Sequence, residues 1–163
     1  MLIKKLTLSN FRQFKDKETI EFSQDKDANI TLILGENTSG KTTILQSFLW
    51  CFYGKAKFKS NDQLFNEENA ELMTPGETKE VAVSVELEHA GEEFVIERKQ
   101  LCVKQGTTAR LVAQSRLRIF RKNNLGEREE IRPIDVSDVM NDILPKDLSE
   151  YFFYDTERFG NIT

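Results

Sequence analysis

Apolar and polar positions change places along this chain with two different periods. Residues 2–9 and 17–22 alternate, the period-two pattern of half-buried strands, and residues 30–34 form a short apolar run bounded by Asn29 and Gly35. Over residues 41–53 the period becomes helical. Ile44, Leu45, Phe48, Leu49 and Phe52 share one face, Trp50 and Tyr53 widen it, and Gly54 stands where a helix stops. A face that broad predicts a helix wrapped by structure on most sides.

Residues 55–78 are polar, with one short helix expected over 62–72. An antiparallel block follows. Val81, Val83, Val85 and Leu87 alternate with Ala82, Ser84, Glu86 and Glu88, and Ala90-Gly91 turns the chain into a strand over 94–103. A third strand over 110–120 follows Gly106, and residues 123–126 turn into 128–132. Asp135 can cap a short helix that stops before Pro145, and the last apolar run is 151–154. The fold class these elements predict is α/β: a mixed sheet around the helix at 41–53, with an antiparallel β subdomain over residues 81–132.

Composition narrows the class without naming a task. The chain has 163 residues, 39% hydrophobic and 31% charged, which suits one soluble domain and argues against disorder. Its longest strictly apolar run, 48–53, is far short of the roughly 20 residues a bilayer span needs, so no membrane partner is expected. The start, Met1-Leu2-Ile3-Lys4-Lys5, lacks the apolar stretch of a signal peptide. Cys51 and Cys102 lie in apolar patterns without metal-like spacing, so they read as buried small hydrophobes in a reducing cytoplasm.

Net charge is −4, yet it hides an internal polarity. Residues 62–97 hold eleven acidic residues and one basic one, whereas 98–128 hold nine basic residues and one acidic one. The basic stretch keeps nucleic acid open as a partner.

The chemistry concentrates at Gly35-Glu36-Asn37-Thr38-Ser39-Gly40-Lys41-Thr42, which is glycine, four residues, then glycine-lysine-threonine. An apolar run precedes it and an amphipathic helix begins at its end. Phosphates need several backbone N–H groups converging on them, and Gly35 and Gly40 let the backbone curl without a clashing side chain. The helix adds its positive end. Lys41 would reach the β- and γ-phosphates, the Thr42 hydroxyl would ligate Mg²⁺, and Asn37, Thr38, Ser39 and Thr43 complete the cradle. A nucleoside triphosphate, ATP with Mg²⁺, is the expected cofactor.

Asn10-Phe11-Arg12-Gln13-Phe14 ahead of this loop, together with residues 35–54 and 151–159, resembles the N-terminal half of an SMC/RecF-type ATPase head. The resemblance is to the SbcC-like group, and most of all to the DndD-like ATPases of DNA phosphorothioation and phage defence. It implies that Arg12 contacts the nucleotide; the plain alternative is an exposed charge at a strand end. It also implies that residues 1–163 are lobe I alone. The C-terminal lobe, with a Ser-Gly-Gly signature and an aliphatic Asp-Glu strand, would lie beyond a coiled coil. A second head (most simply another copy), DNA, and nuclease or other repair or defence subunits would be the partners.

Tyr151-Phe152-Phe153-Tyr154-Asp155-Thr156-Glu157 admits several readings. In one, an apolar strand presents Asp155 to Mg²⁺ and Glu157 activates water, making a compact hydrolase or kinase that needs no partner. In another, implied by the resemblance, Asp155 lies in a loop that senses the γ-phosphate and Mg²⁺, with Thr156 where the DndD-like pattern has glycine. An aromatic core strand followed by solvated acids is the plain alternative. The favoured function is ATP binding, with hydrolysis once two heads close. A DNA-binding module with merely structural ATP is the third class.

Weaker signals remain. Arg116 and Arg118 share one face of their strand and, with Lys104, Arg110 and Lys122, would make a basic surface that follows phosphates. The usual explanation of such a stripe is an ordinary solvated face partly paired with Glu86, Glu88 and Glu97. His89 lies by a turn with no ligand cluster around it.

Overall fold

Alternation at residues 2–11 and 78–89 does what it predicts in the middle of each stretch: Leu6 and Leu8, and Val81, Val83, Val85 and Leu87, turn to one face of a sheet and are buried there. The computed structural model describes residues 1–25, 27–36, 39–58, 61–123 and 125–153. Its strands are β1 (Leu2–Phe11), β2 (Phe14–Glu21), β3 (Thr78–His89), β4 (Glu92–Gln105), β5 (Thr108–Lys122) and β6 (Arg128–Glu130). They form one sheet in the order β2-β1-β3-β4-β5-β6, every neighbouring pair antiparallel. Leu6, Val85, Ile96 and Ile119 pair across four strands in one row, and all four are fully buried.

The turns follow their residues. His89 pairs with Glu92, so β3 and β4 are joined by the two residues Ala90 and Gly91, at φ of 50° and 81°. Two positive φ values match the twist of a tight hairpin.

Helix α1 (Lys41–Tyr53) has the bounds its periodicity predicts. It lies against the inner face of β3 and β4, burying Phe48, Trp50, Cys51 and Phe52. Burial of each large side chain contributes roughly 1.5–3 kcal/mol. Trp50 meets Phe11 at 5.6 Å between ring centroids, and Cys51 Sγ lies 3.5 Å from the carbonyls of Val83 and Ile96. Gly54 takes φ 67° and returns its N–H to Trp50 O, closing the helix.

The expected short helix at 62–72 is a 3-10 turn (Asn61–Leu64) followed by α2 (Glu67–Leu72). Asn66 caps α2 by accepting from the Asn69 N–H at 2.9 Å. Farther on, α3 (Val136–Ile143) buries Met140 and Ile143. Asp135 stands at its N-terminal end, but its carboxylate accepts from Arg132 Nε rather than from the helix.

Two expectations need correction. Residues 30–34 form no strand and pair with none among the described residues, and Ile30, Leu32 and Leu34 are 85, 77 and 81% exposed. An apolar run becomes a strand only where a neighbour meets its N–H and C=O groups. The segment instead leans on β2's end, where the Ser23 N–H donates to Thr31 Oγ1 and Ser23 Oγ to Ala28 O. The described residues of the aromatic run near the carboxyl end, 151–153, form no strand either: α4 (Ser149–Phe152) contains the first two, and Tyr151 is 82% exposed. Consecutive aromatic residues carry no period-two signal. Tyr154 lies outside the described residues; of the other three, Phe153 turns inward, 5.8 Å from the rings of both Phe48 and Phe52.

Candidate nucleotide-binding site

The glycine-lysine-threonine run falls at the start of α1. Gly40 is buried at φ 109°, and a Cβ there would stand 2.4 Å from Gln13 Nε2 and 3.1 Å from Phe14. Only glycine fits, for both conformation and space. Lys41 and Thr42 are exposed at the helix start, where backbone N–H groups have no partner within the helix. Lys41 Nζ folds back on its own loop and donates to the carbonyls of Gly35 and Glu36, each at 2.6 Å. The Ser39 N–H donates to Glu36 O at 3.2 Å. Asn37 and Thr38 lie outside the described residues, as do Asp155 and Glu157.

Thr43 differs from its neighbours in the run. Its side chain is buried, and Oγ1 donates to Gln13 Oε1 at 3.0 Å. Gln13 is the residue of the 10–14 motif that hydrogen-bonds the start of α1, with Phe14 also against Gly40, although nothing in the sequence singles Gln13 out. Glutamine has no signature that would mark it for this place.

Arg12, at φ 54°, faces the other way. Its guanidinium lies 4.5 Å over the Phe58 ring and donates through Nη1 to Gln63 O at 3.1 Å, while Nε is buried without a partner among the described residues. The strained turn is held by its backbone. Arg12 N–H donates to Leu64 O at 2.8 Å, Asn66 Nδ2 donates to Arg12 O at 2.5 Å, and Asn69 Nδ2 donates to Asn10 Oδ1 at 2.7 Å. These asparagines, invisible as a site in the sequence, fix where Gln13 stands.

On the opposite face of the sheet, Arg116 and Arg118 point outward in line with Lys99 and Glu97, their pairing partners on β4. Arg118 grips Glu130 with both ends of its fork, at 2.7 and 2.5 Å, and stacks 4.8 Å over Phe120. That pair holds the Arg118 pKa above and the Glu130 pKa below its ordinary value. Lys104 is buried and donates to Ala70 O, Lys122 pairs with Glu86 and Glu93, and Arg116 and Arg110 are exposed. His89 lies 3.5 Å from Asp142. Both cysteines are buried.

The sequence profile of the AAA domain matches residues 5–161. The chain belongs to the AAA domain family. Over 99% of its length it is 26% identical to the DNA replication and repair protein RecF of Acetivibrio thermocellus, covering 42% of that protein. It is 26% identical over 77% of its length to a component of the nuclease SbcCD of Staphylococcus saprophyticus, covering 12% of it. Among solved structures, the SMC head domain from Thermotoga maritima is similar, with a TM-score of 0.48 at 22% identity over 85% of this chain and 42% of that one. This AAA domain thus spans less than half the length of the curated relatives named here. Among its described residues no helix is long and apolar enough to cross a membrane, and no cluster of three His, Cys, Asp or Glu residues stands ready for a metal.

Proposed function

We infer that residues 35–42 bind ATP with Mg²⁺, and that the domain is lobe I of an ATPase head acting on DNA. One observation carries the reading: the glycine-lysine-threonine run begins α1, with Gly40 in a left-handed conformation where no side chain fits. Lys41 exchanges its two loop carbonyls for the β- and γ-phosphates. Thr42 offers a hard oxygen suited to Mg²⁺, and the phosphates and water supply most of the other ligands. Mg²⁺ would neutralise charge building on the phosphates. Asp155 would be its second protein ligand, and Arg12 would join the nucleotide contacts on leaving Phe58 and Gln63 O, where its guanidinium rests.

Hydrolysis requires a C-terminal lobe and a second head. Residues 30–34 support this: they are exposed and pair with no strand among the described residues, so an apolar run immediately before the loop is left for a strand from elsewhere to cover. RecF is named for DNA replication and repair and the SbcCD protein for a nuclease. The same DNA-directed work is proposed here, with a nuclease or other repair or defence protein as partner. The DndD-like form of this reading rests on residues 151–157.

Calorimetry with ATP and Mg²⁺ tests the core of it. Lys41→Ala removes charge-assisted contacts worth roughly 1.5–3 kcal/mol, so affinity falls about tenfold or more. Equal affinity in the two proteins rejects the phosphate loop. Rapid turnover by the isolated domain, independent of its concentration and lost in Glu157→Gln, supports a self-sufficient hydrolase instead.

A further inference from the structure

The inner face of the sheet contains one charge in its central rows. Leu8, Val83, Arg98 and Leu117 pair across β1, β3, β4 and β5 as the row next to Leu6-Val85-Ile96-Ile119. Arg98 occupies an apolar slot there and is 8% exposed. Among the described residues its hydrogen-bond partners are two carbonyls and a hydroxyl and no carboxylate pairs with it, and burial holds its pKa below the usual arginine value. A lone buried cation is costly, and a leucine in the same slot would pack without that penalty.

What Arg98 touches accounts for the charge. Nε donates to Cys51 O at 2.9 Å, Nη2 to Phe52 O at 3.4 Å, and Nη1 to Ser115 Oγ at 3.0 Å. Cys51 and Phe52 belong to the last turn of α1, whose carbonyls have no partner within the helix and carry its negative end. Gly54 leaves room for the fork, since a Cβ there would stand 3.1 Å from Nη1. The guanidinium therefore binds the far end of the phosphate-loop helix to β4 directly and to β5 through Ser115.

We propose that Arg98 is a positioning residue for the nucleotide site: it ties α1 to β4 and β5, so that phosphate binding at one end of the helix is felt in the strands at the other. This rests on reading residues 35–42 as the phosphate loop. α1 is a helical link of 13 residues, about 20 Å long. Phosphate draws on its N-terminal end while Arg98 holds its C-terminal end, and a rigid helix held at both ends passes displacement to whatever grips it. The charge alone is insufficient. Three bonds in different directions need the planar fork, which lysine lacks.

The experiment combines ATP·Mg²⁺ calorimetry with hydrogen exchange on β4 and β5, on this chain and on Arg98→Lys, Ser115→Ala and Lys41→Ala. ATP is expected to slow exchange in residues 92–122 of the unsubstituted protein. In folded Arg98→Lys, affinity falls about fivefold, the lower end of ordinary coupling between sites, and the ATP-dependent slowing disappears. A merely structural staple would lower the melting temperature yet leave the slowing in place. Unchanged affinity with slowing retained overturns the proposal, as does ATP binding by the unsubstituted protein with no change in those strands. Should Arg98→Lys fail to fold, Ser115→Ala decides: loss of slowing in residues 108–122 upholds the link, and its persistence overturns it. Failure of the unsubstituted protein to bind ATP, or equal binding by Lys41→Ala, overturns the phosphate-loop reading itself and this proposal with it.

Discussion

Gln13 Oε1 accepts a hydrogen bond from Thr43 Oγ1 at 3.0 Å, and the same side-chain amide lies directly over Gly40. The turn between β1 and β2 is thereby fastened to the first turn of α1. Asn66 and Asn69 hold that turn from behind, so Gln13 has little freedom to move away. Replacing Gln13 by Ala strands the Thr43 hydroxyl and loosens the loop. An ATP affinity about fivefold weaker is expected, the factor that roughly 1 kcal/mol carries. Titration calorimetry checks it, with Thr43→Val expected to match because it removes the same bond.

Gly40→Ala should be more severe. The methyl group meets Gln13 Nε2 at 2.4 Å in a backbone conformation that L-residues avoid, so a loss of about 1–3 kcal/mol in urea unfolding is expected, together with loss of ATP binding. Gly76→Ala is the control. It has a similar φ, 85°, but open space around it, so it should cost only backbone strain and leave ATP affinity unchanged. Equal ATP loss in both variants would separate the effect from the Gln13 contact.

Much of this architecture is legible in residue order, and the failures share a cause. Helix α1 is marked at both ends, by Gly40-Lys41 and by Gly54, but its buried face is rotated from the expected one: Phe48 and Phe52 are buried with Thr43, Ser47, Trp50 and Cys51, while Ile44, Leu45 and Leu49 are only half-buried. The Ala90-Gly91 turn is equally plain. Residues 30–34 carry a strand's composition, but a strand is a relation between two segments, and one segment's composition cannot say whether its partner is present. Arg98 stands two positions beyond Ile96 and therefore on its face, but as one of nine basic residues in its stretch it looks like a surface charge. Gln13, Asn66 and Asn69 act through contacts between distant stretches of chain, which no local pattern encodes.

Glu93 links the sheet's charge to pH. Lys4 and Lys122 both donate to it and hold its carboxyl down at about 2. A carboxyl depressed on folding contributes stability above its ordinary value of 4.5, and that contribution is lost as pH falls toward 2. The lysines, whose pKa values are raised, lose their share only in strong alkali, above 10.5. Glu93 is partly exposed, so screening keeps the total below about 1 kcal/mol. Glu93→Gln should therefore unfold at slightly lower urea than the unsubstituted protein at pH 7. The gap should narrow as pH drops below 4.5 and also in high salt. A gap that is constant with pH would remove the ion pairs as its cause.

The outer face of the sheet separates two arginines that residue order treats alike. Arg118 is committed to Glu130 through both ends of its fork, so its charge is largely spent within the protein. Arg116, one pleat away, is exposed beside Lys99 and is placed to meet a phosphate. If DNA follows this face, Arg116→Glu should weaken binding to unrelated sequences to a similar degree, since phosphate contacts carry no base information. The slope of log affinity against log salt should flatten by about 0.9, one phosphate's share on duplex DNA. Arg118→Gln frees Glu130, so it should lower stability slightly while leaving that slope alone. Fluorescence anisotropy across a salt series on the two variants tells the cases apart. ATP affinity should survive both, because the outer face is on the far side of the sheet from α1. An unchanged affinity and slope in Arg116→Glu would make the whole row a solvated face, its arginines serving only the acids beside them.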